Sequence, residues 1–313
     1  MPSYVSFRSF ALIATGVAVI AYVAVTAVVG FGDVVAAAER VGIGGLAIAL
    51  SLSLVNYGLR FARWEAYLKA LGHSLPRLAS LRIYIAGFAW TVTPAKAGEA
   101  LRGLLLERWG VPLRASVAAF LSERLSDLGA IVLLSMTGLA MYPESQLLVL
   151  AGLGGSVLGW LLLSRPAAAG LARRVATSLG GSLRTFAGHV TQTLEASRLC
   201  HRSGLAVSAL ALSVAAWAAE AVALYLMLGW MGAEVPLAVA VFAYALAVLA
   251  GALSFIPGGL GGTEAVMIAV LLWQRVPADI AVASTLLIRL TTLWFAVVLG
   301  MASLASLVAR RTG

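Results

Sequence analysis

One stretch governs what this chain can become: Ser254-Phe255-Ile256-Pro257-Gly258-Gly259-Leu260-Gly261-Gly262-Thr263-Glu264, set between two apolar runs. A proline, four glycines and an acid do not suit the middle of an apolar helix. Proline removes a ladder hydrogen bond, and glycine leaves the backbone unconstrained. Within a membrane, such backbone survives only where protein or a water-filled cavity satisfies its polar groups. A shorter copy occurs at Val92-Thr93-Pro94-Ala95-Lys96-Ala97-Gly98-Glu99. The chain therefore contains two points at which an apolar segment must break and turn.

The surroundings are those of a multi-pass membrane protein. Of 313 residues, 61% are hydrophobic and 11% charged, against about a quarter charged in soluble domains. The net charge of +9 fits basic loops facing anionic lipid. No nucleic-acid-binding module appears, and nucleic acid is not expected as a partner. Cys200 is the single cysteine, so no intrachain disulfide forms, and His73, His189 and His201 make no ligand pattern. No metal or cofactor is expected.

Full spans are expected at Phe10–Val29, Gly42–Phe61, Ala115–Leu139, Gln146–Ser164, Leu205–Leu228 and Ile280–Val308. Phe31–Val41 reads as a short amphipathic connection. Leu81–Val92 and Val266–Trp273 are too short to cross, since a crossing helix needs about 20 residues. Ala100–Trp109 and Pro236–Phe255 complete the segments around the two breaks. Arg165–Ser203 carries six arginines against Glu195 and reads as helices lying at the interface. Trp64, Trp90, Trp109, Trp217, Trp230, Trp273 and Trp294 fall near expected span ends, where tryptophan anchors at the interface.

Basic loops at 60–82, 96–114 and 165–202, with Arg310-Arg311, are assigned to the cytoplasmic side. The loops at 31–41, 139–146 and 229–235 are poor in Lys and Arg and face outward. The segment containing Pro94 then starts and ends inside, and the segment containing Pro257 starts and ends outside. The expected fold is all-α and integral to the membrane, a single membrane domain (1–313) with six full transmembrane helices plus two re-entrant helical hairpins. Residues 42–139 form one span–hairpin–span unit and residues 204–308 a second, inverted one, joined through the basic interfacial linker at 165–203. Both termini are cytoplasmic. Glu99 precedes Arg124 by 25 residues, as Glu264 precedes Arg289. Inverted repeats with broken helices mark secondary transporters and related carriers.

Six charges fall in the apolar segments: Glu123, Arg124, Asp127, Glu220, Glu264 and Arg289. At about 2.5–3.5 kcal/mol each in a lone helix, they must face one another or a polar cavity. Arg124 is expected to pair with Glu99 or Glu264, and Arg289 with one of the other acids. Glu123 and Asp127, one turn apart, also have the spacing of a metal pair, although an ion-pair network with the neighbouring arginine is simpler. Gly258, Gly259 and Gly261 after Pro257 allow close backbone approach, and the helix that follows could present N–H groups to a phosphate. The motif lacks the Gly-Lys-Ser/Thr ending of a nucleotide-binding loop.

Together, Asn56-x-x-x-Arg60-x-x-Arg63-Trp64, Pro94-x-Lys96-x-Gly98-Glu99-x-x-Arg102, Glu123-Arg124-x-x-Asp127, Ser254-x-Ile256-Pro257-Gly258-Gly259-x-Gly261-x-x-Glu264, and Arg289 with Thr291-Thr292-x-Trp294 resemble the lysylphosphatidylglycerol synthase transmembrane-region family. The resemblance covers about residues 10–308. It implies a relative of the flippase half of the multiple peptide resistance factor, which moves aminoacylated phosphatidylglycerol between leaflets. No soluble aminoacyl-transferase domain follows before Gly313, so the chain looks like a stand-alone member. The expected activity is non-enzymatic: translocation of an anionic or aminoacylated phospholipid, or a polyprenyl-phosphate-type lipid, across the cytoplasmic membrane. Arg124 and Arg289 would meet phosphate, and Glu99, Glu123, Asp127, Glu220 and Glu264 would pair those arginines or attract a cationic group. Arg102 belongs to the same substrate set. Asn56, Arg60, Arg63, Lys96 and Arg108 would gather lipid on the inner face. Membrane phospholipids are the expected partners; a homodimer and a lipid-synthesising partner enzyme stay open. The alternatives are a lipid-modifying transferase of the membrane and an accessory subunit of an envelope-lipid synthase.

Overall fold

A computed structural model describes residues 31–93, 99–139, 144, 146–178, 181–254 and 256–309. The expected first span, Phe10–Val29, lies outside the described residues, as do Pro94, Lys96 and Gly98 of the first break and the terminal arginines. The described residues are helical, with no strand among them.

Helix α1 runs Phe31–Ala70 with a kink at Gly42, whose φ is 69°. The amphipathic connection and the second span are thus one element. The helix also continues nine residues beyond Phe61, through Arg63 and Trp64. These residues are buried, so the charge does not mark the membrane boundary here.

Next come α2 (Arg77–Ala86), a 3₁₀ turn at Gly87–Trp90, and, beyond the first break, α3 (Arg102–Leu106). Helix α4 follows at Leu113–Ser135, then α5 (Gln146–Ser164), α6 (Pro166–Ser178) and α7 (Gly181–Cys200). Helices α6 and α7 pair with one another, tied by an Arg173–Glu195 ion pair, and α7 rests on α4 and α5. The second half contains α8 (Ser203–Trp230), α9 (Leu237–Leu253), a 3₁₀ turn at Pro257–Gly259 and α10 (Gly262–Trp273). Helix α11 (Ala278–Arg289) joins α12 (Phe295–Ala309) through a π turn at Leu290–Trp294.

Four stretches among the described residues are long and apolar enough to cross a membrane: Val35–Ala70, Gln146–Ser164, Ser203–Trp230 and Ala278–Leu307. Helix α4 is 23 residues long but carries Glu123, Arg124 and Asp127. Helix α9 and the segment Pro257–Trp273 are shorter.

The largest packing interface joins α1 to α8. Along α1, Gly45 meets Trp230, Asn56 Nδ2 donates to the Ala216 carbonyl at 2.9 Å, and Arg63 donates to Ser213 Oγ. The partner number falls as the α1 number rises, so these helices run antiparallel. Ser213, Ala216 and Trp217 lie 160 positions after Ser53, Asn56 and Tyr57.

Other contacts occur in matched pairs. Tyr57 donates its hydroxyl to the Thr292 carbonyl at 2.6 Å, and Trp217 donates its indole N–H to Asp127 at 3.2 Å. Trp217 is 160 positions after Tyr57, and Thr292 is 165 after Asp127. Ser303 bonds to the Arg82 carbonyl on α2, while Gly138 lies against Phe242 on α9. The same two offsets relate those positions. Each contact thus has a counterpart in which the two stretches exchange roles.

The turns repeat as well. Gly72, Gly110, Gly232 and Arg275 all have positive φ and are each followed by a proline, at Pro76, Pro112, Pro236 and Pro277. Proline cannot continue the preceding helix and suits the entry to the next. Each turn closes with an N–H reaching back to a helix carbonyl, as from His73 to Leu68 and from Ala233 to Leu228.

Candidate functional site

The polar and charged residues that the sequence scatters over 233 positions, from Asn56 to Arg289, collect into two groups in the interior. The first draws on three elements. Helix α1 presents Asn56, Arg60 and Arg63 on one stripe at spacings of four and three. The first break supplies Glu99 and Arg102, and α4 supplies Glu123, Arg124 and Asp127.

Asp127 is the hub. Its carboxylate lies 2.6 Å from Arg63 Nη1, 3.1 Å from Arg124 Nη2 and 3.5 Å from Arg60 Nη2, and it accepts from Trp217. Glu123 pairs with Arg102 and lies 3.7 Å from Arg63. Glu99 lies 3.4 Å from Arg124 and accepts the Thr91 hydroxyl at 2.8 Å. Arg102 is sandwiched against aromatics, 4.0 Å from the centre of the Trp64 ring and 5.3 Å from that of Tyr84. Arg60 lies over Trp217 and Phe88. Guanidinium planes suit such stacking, which also shields them from lipid.

The second group is smaller. Glu264 Oε1 lies 2.6 Å from Arg289 Nε, while its Oε2 accepts the Gly261 N–H at 2.7 Å. The acid therefore both pairs and caps the start of α10. Arg289 also donates to the Gly258 carbonyl at 2.6 Å. This arginine fastens the broken segment to the end of α11. Glu220 accepts the Tyr244 hydroxyl. Ser53 and Tyr57 donate to the Thr291 and Thr292 carbonyls, covering backbone in the π turn, a local form frequent at functional sites.

The two breaks meet. Gly258, with φ of 65°, has Val92 Cγ1 only 2.9 Å from where a Cβ would stand. Val92 clusters with Leu260, Trp294 and Val297. An apolar seam thus lies between the ends of the two broken segments, next to the charged groups.

Both arginines have the acid 25 positions before them as partner: Arg124 has Glu99 and Arg289 has Glu264. The structure differs from the expectation for the inner face. Arg63 is 0% exposed, and Arg60, Asn56 and Arg102 are buried too. They belong to the interior network because the carboxylates of α4 require them there. Arg108 is exposed at the end of the turn Glu107–Trp109, and Lys96 lies outside the described residues. Three tryptophans also depart from their expected places. Trp64, Trp90 and Trp217 are buried, whereas Trp109 and Trp273 are exposed. Tyr57, Tyr84, Trp64 and Tyr244 were not among the expected site residues. Tyr57 and Trp64 lie on the same α1 stripe as Arg60, and Tyr84 and Tyr244 are 160 positions apart, so the signal was available.

Among the described residues, no three His, Cys, Asp or Glu side chains are grouped as for a metal ion. Glu123 and Asp127 are instead held by arginines. The family model described as "Lysylphosphatidylglycerol synthase TM region" matches residues 11–300. A protein of Methanothermobacter thermautotrophicus described as "UPF0104 membrane protein" is 23% identical over 326 aligned positions, covering 92% of this chain and 93% of the relative.

Proposed function

The chain belongs to the lysylphosphatidylglycerol synthase TM-region family, and from that premise we propose that it translocates a lipid rather than modifying one. In this reading it is a cytoplasmic-membrane protein with six spans, two re-entrant hairpins entering from opposite faces and both termini inside. The halves 42–139 and 204–308 are an inverted repeat. The observation that carries the reading is the reciprocal contact between Tyr57 and Thr292 and between Trp217 and Asp127 across antiparallel α1 and α8. Alternating access in inverted-repeat carriers moves one unit against the other around a site near the midplane.

The lipid's polar head passes the buried charges while its tails stay in the bilayer. An anionic or aminoacylated phospholipid, or a polyprenyl-phosphate-type lipid, fits a path lined by arginine and glutamate. The transferase alternative needs Glu123 and Asp127 to take a divalent ion, and their engagement by Arg63, Arg102 and Arg124 favours ion pairing instead. A homodimer or a lipid-synthesising enzyme as partner is compatible with the scheme.

The test is reconstitution of the full chain in liposomes with fluorescent phosphatidylglycerol in both leaflets and a membrane-impermeant quencher outside. Translocation lets quenching pass beyond the outer-leaflet half, and Glu264→Gln or Arg289→Ala reduces the rate tenfold or more. Equal rates with and without the protein, for anionic and aminoacylated lipids alike, would overturn the reading.

A further inference from the structure

The two charged groups occupy equivalent places but are not equally satisfied. In the second, the hydrogen bonds close on themselves. Glu264 uses one oxygen for Arg289 and the other for the Gly261 N–H, and Arg289 donates a second bond, from Nη2, to the Gly258 carbonyl. Tyr244 gives its hydroxyl proton to Glu220.

The first group has donors to spare. Four arginines, Arg60, Arg63, Arg102 and Arg124, are linked by ion pairs to three carboxylates, Glu99, Glu123 and Asp127. The Nε atoms of all four arginines, the indole N–H of Trp64 and the hydroxyl of Tyr84 have no acceptor among the described residues. Trp64 is 0% and Tyr84 1% exposed. Against these six donors, the acceptors without a hydrogen bond are few, such as Asn56 Oδ1 and Glu123 Oε1. Buried polar groups are normally hydrogen-bonded.

From this asymmetry we infer that the first group is an anion site for a phosphate diester or monoester, built around Arg102, Arg124, Trp64 and Tyr84. A phosphate supplies several acceptor oxygens to these donors, and guanidinium groups match its geometry. Arg124 is the way in, because its side chain is 20% exposed whereas those of Arg63 and Arg102 are 0% and 1%. The second group does not take the anion, since Arg289 is already engaged by Glu264 and Gly258. The inference narrows the lipid-translocation reading to headgroups with a phosphate that docks in the first half. It rests on that reading only for the source of the phosphate.

Binding is measured apart from transport. Intrinsic tryptophan fluorescence of the full chain in non-ionic detergent, with Trp64 stacked on Arg102, is titrated with dioctanoyl phosphatidylglycerol, with inorganic phosphate and with phosphate-free dioctanoylglycerol. A saturable change is expected with phosphatidylglycerol and none with dioctanoylglycerol. Arg124→Gln weakens binding tenfold or more. Tyr84→Phe, which keeps the ring and the charge balance, weakens it about threefold to tenfold. Tyr244→Phe, at the equivalent place in the second half, leaves it unchanged. Saturation by inorganic phosphate alone supports the anion site with free phosphate as the source, and removes the lipid. Binding of phosphatidylglycerol without transport in liposomes keeps the site and sinks translocation. An equal response to dioctanoylglycerol, no response to either anion, or equal weakening by Tyr84→Phe and Tyr244→Phe overturns the inference.

Discussion

Glu99–Arg124 and Glu264–Arg289 are the same pair made twice, and they have been put to different uses. The second is tight, at 2.6 Å, and both partners also bond backbone of the broken segment. It works as a clasp. The first is looser, at 3.4 Å, and Arg124 divides its charge between Glu99 and Asp127. It is one edge of a network that reaches α1, the first break and α4. The two pairs share a spacing of 25 and a place beside a break. One kept its charges local, and the other gathered them around a carboxylate hub. The difference suggests that a buried ion pair at a helix break can either fix the backbone or leave charge to be shared.

The largest effect expected from breaking this contrast is at the hub. Asp127→Asn leaves Arg60, Arg63 and Arg124 short of one carboxylate in a buried setting. Removing one partner of a buried pair costs about 3–5 kcal/mol. Cys200 offers the measurement. It is the single cysteine, and burial pushes its thiol up to about 12, so the reactive thiolate is scarce at neutral pH. A thiol-reactive dye is expected to label Asp127→Asn much faster than the wild-type chain. Equal labelling rates would show that the hub is not what holds the first half together.

A smaller effect is expected at the clasp. Glu264→Gln keeps an oxygen for the Gly261 N–H, and Arg289 keeps the Gly258 carbonyl. The change takes a carboxylate from one arginine, where Asp127→Asn takes one from three. Thermal unfolding in detergent is expected to shift less for Glu264→Gln than for Asp127→Asn. The reverse order would mean that the second half, not the first, carries the stability of the interior.

Much of this arrangement was legible before any coordinates. The cost of charge in an apolar helix demanded partners, and the expectation left Arg124 to Glu99 or Glu264 and Arg289 to one of the other acids; the structure gives each arginine the acid 25 positions before it. Helix Gln146–Ser164 was readable at both ends because an apolar run flanked by polar residues leaves little choice. What was not legible follows from one assumption, that charge in an apolar run marks the membrane boundary. Arg60, Arg63 and Trp64 were placed at an inner rim on that ground, yet α1 carries them inward, where Asp127 and Glu123 compensate them. The π turn at Leu290–Trp294 was also hidden. Nothing in Leu-Thr-Thr-Leu-Trp breaks a helix, and its carbonyls are met by Ser53 and Tyr57 from more than 230 positions away. The repeated turns at Gly72, Gly110, Gly232 and Arg275 were readable in principle, since each precedes a proline at a spacing of four or two.

The mildest expected effect sharpens the comparison at the level of single hydrogen bonds. Tyr57→Phe and Trp217→Phe each delete one donor from the reciprocal pair, and each leaves an aromatic ring in place. Tyr57 loses a bond to a neutral carbonyl, which costs about 0.5–1.5 kcal/mol. Trp217 loses a bond to the Asp127 carboxylate, and bonds to charged groups contribute about 1.5–3 kcal/mol. Trp217 also stacks on Arg60, with 5.6 Å from the guanidinium to the ring centre. The two positions are equivalent in the fold, so scaffold alone predicts equal losses, whereas divergence of the two charged groups predicts that Trp217→Phe costs more. Unfolding temperatures of the two variants under one set of conditions decide between them. If Tyr57→Phe proves as costly as Trp217→Phe, the hub draws nothing from its charge at this contact, and the contrast between network and clasp reduces to geometry.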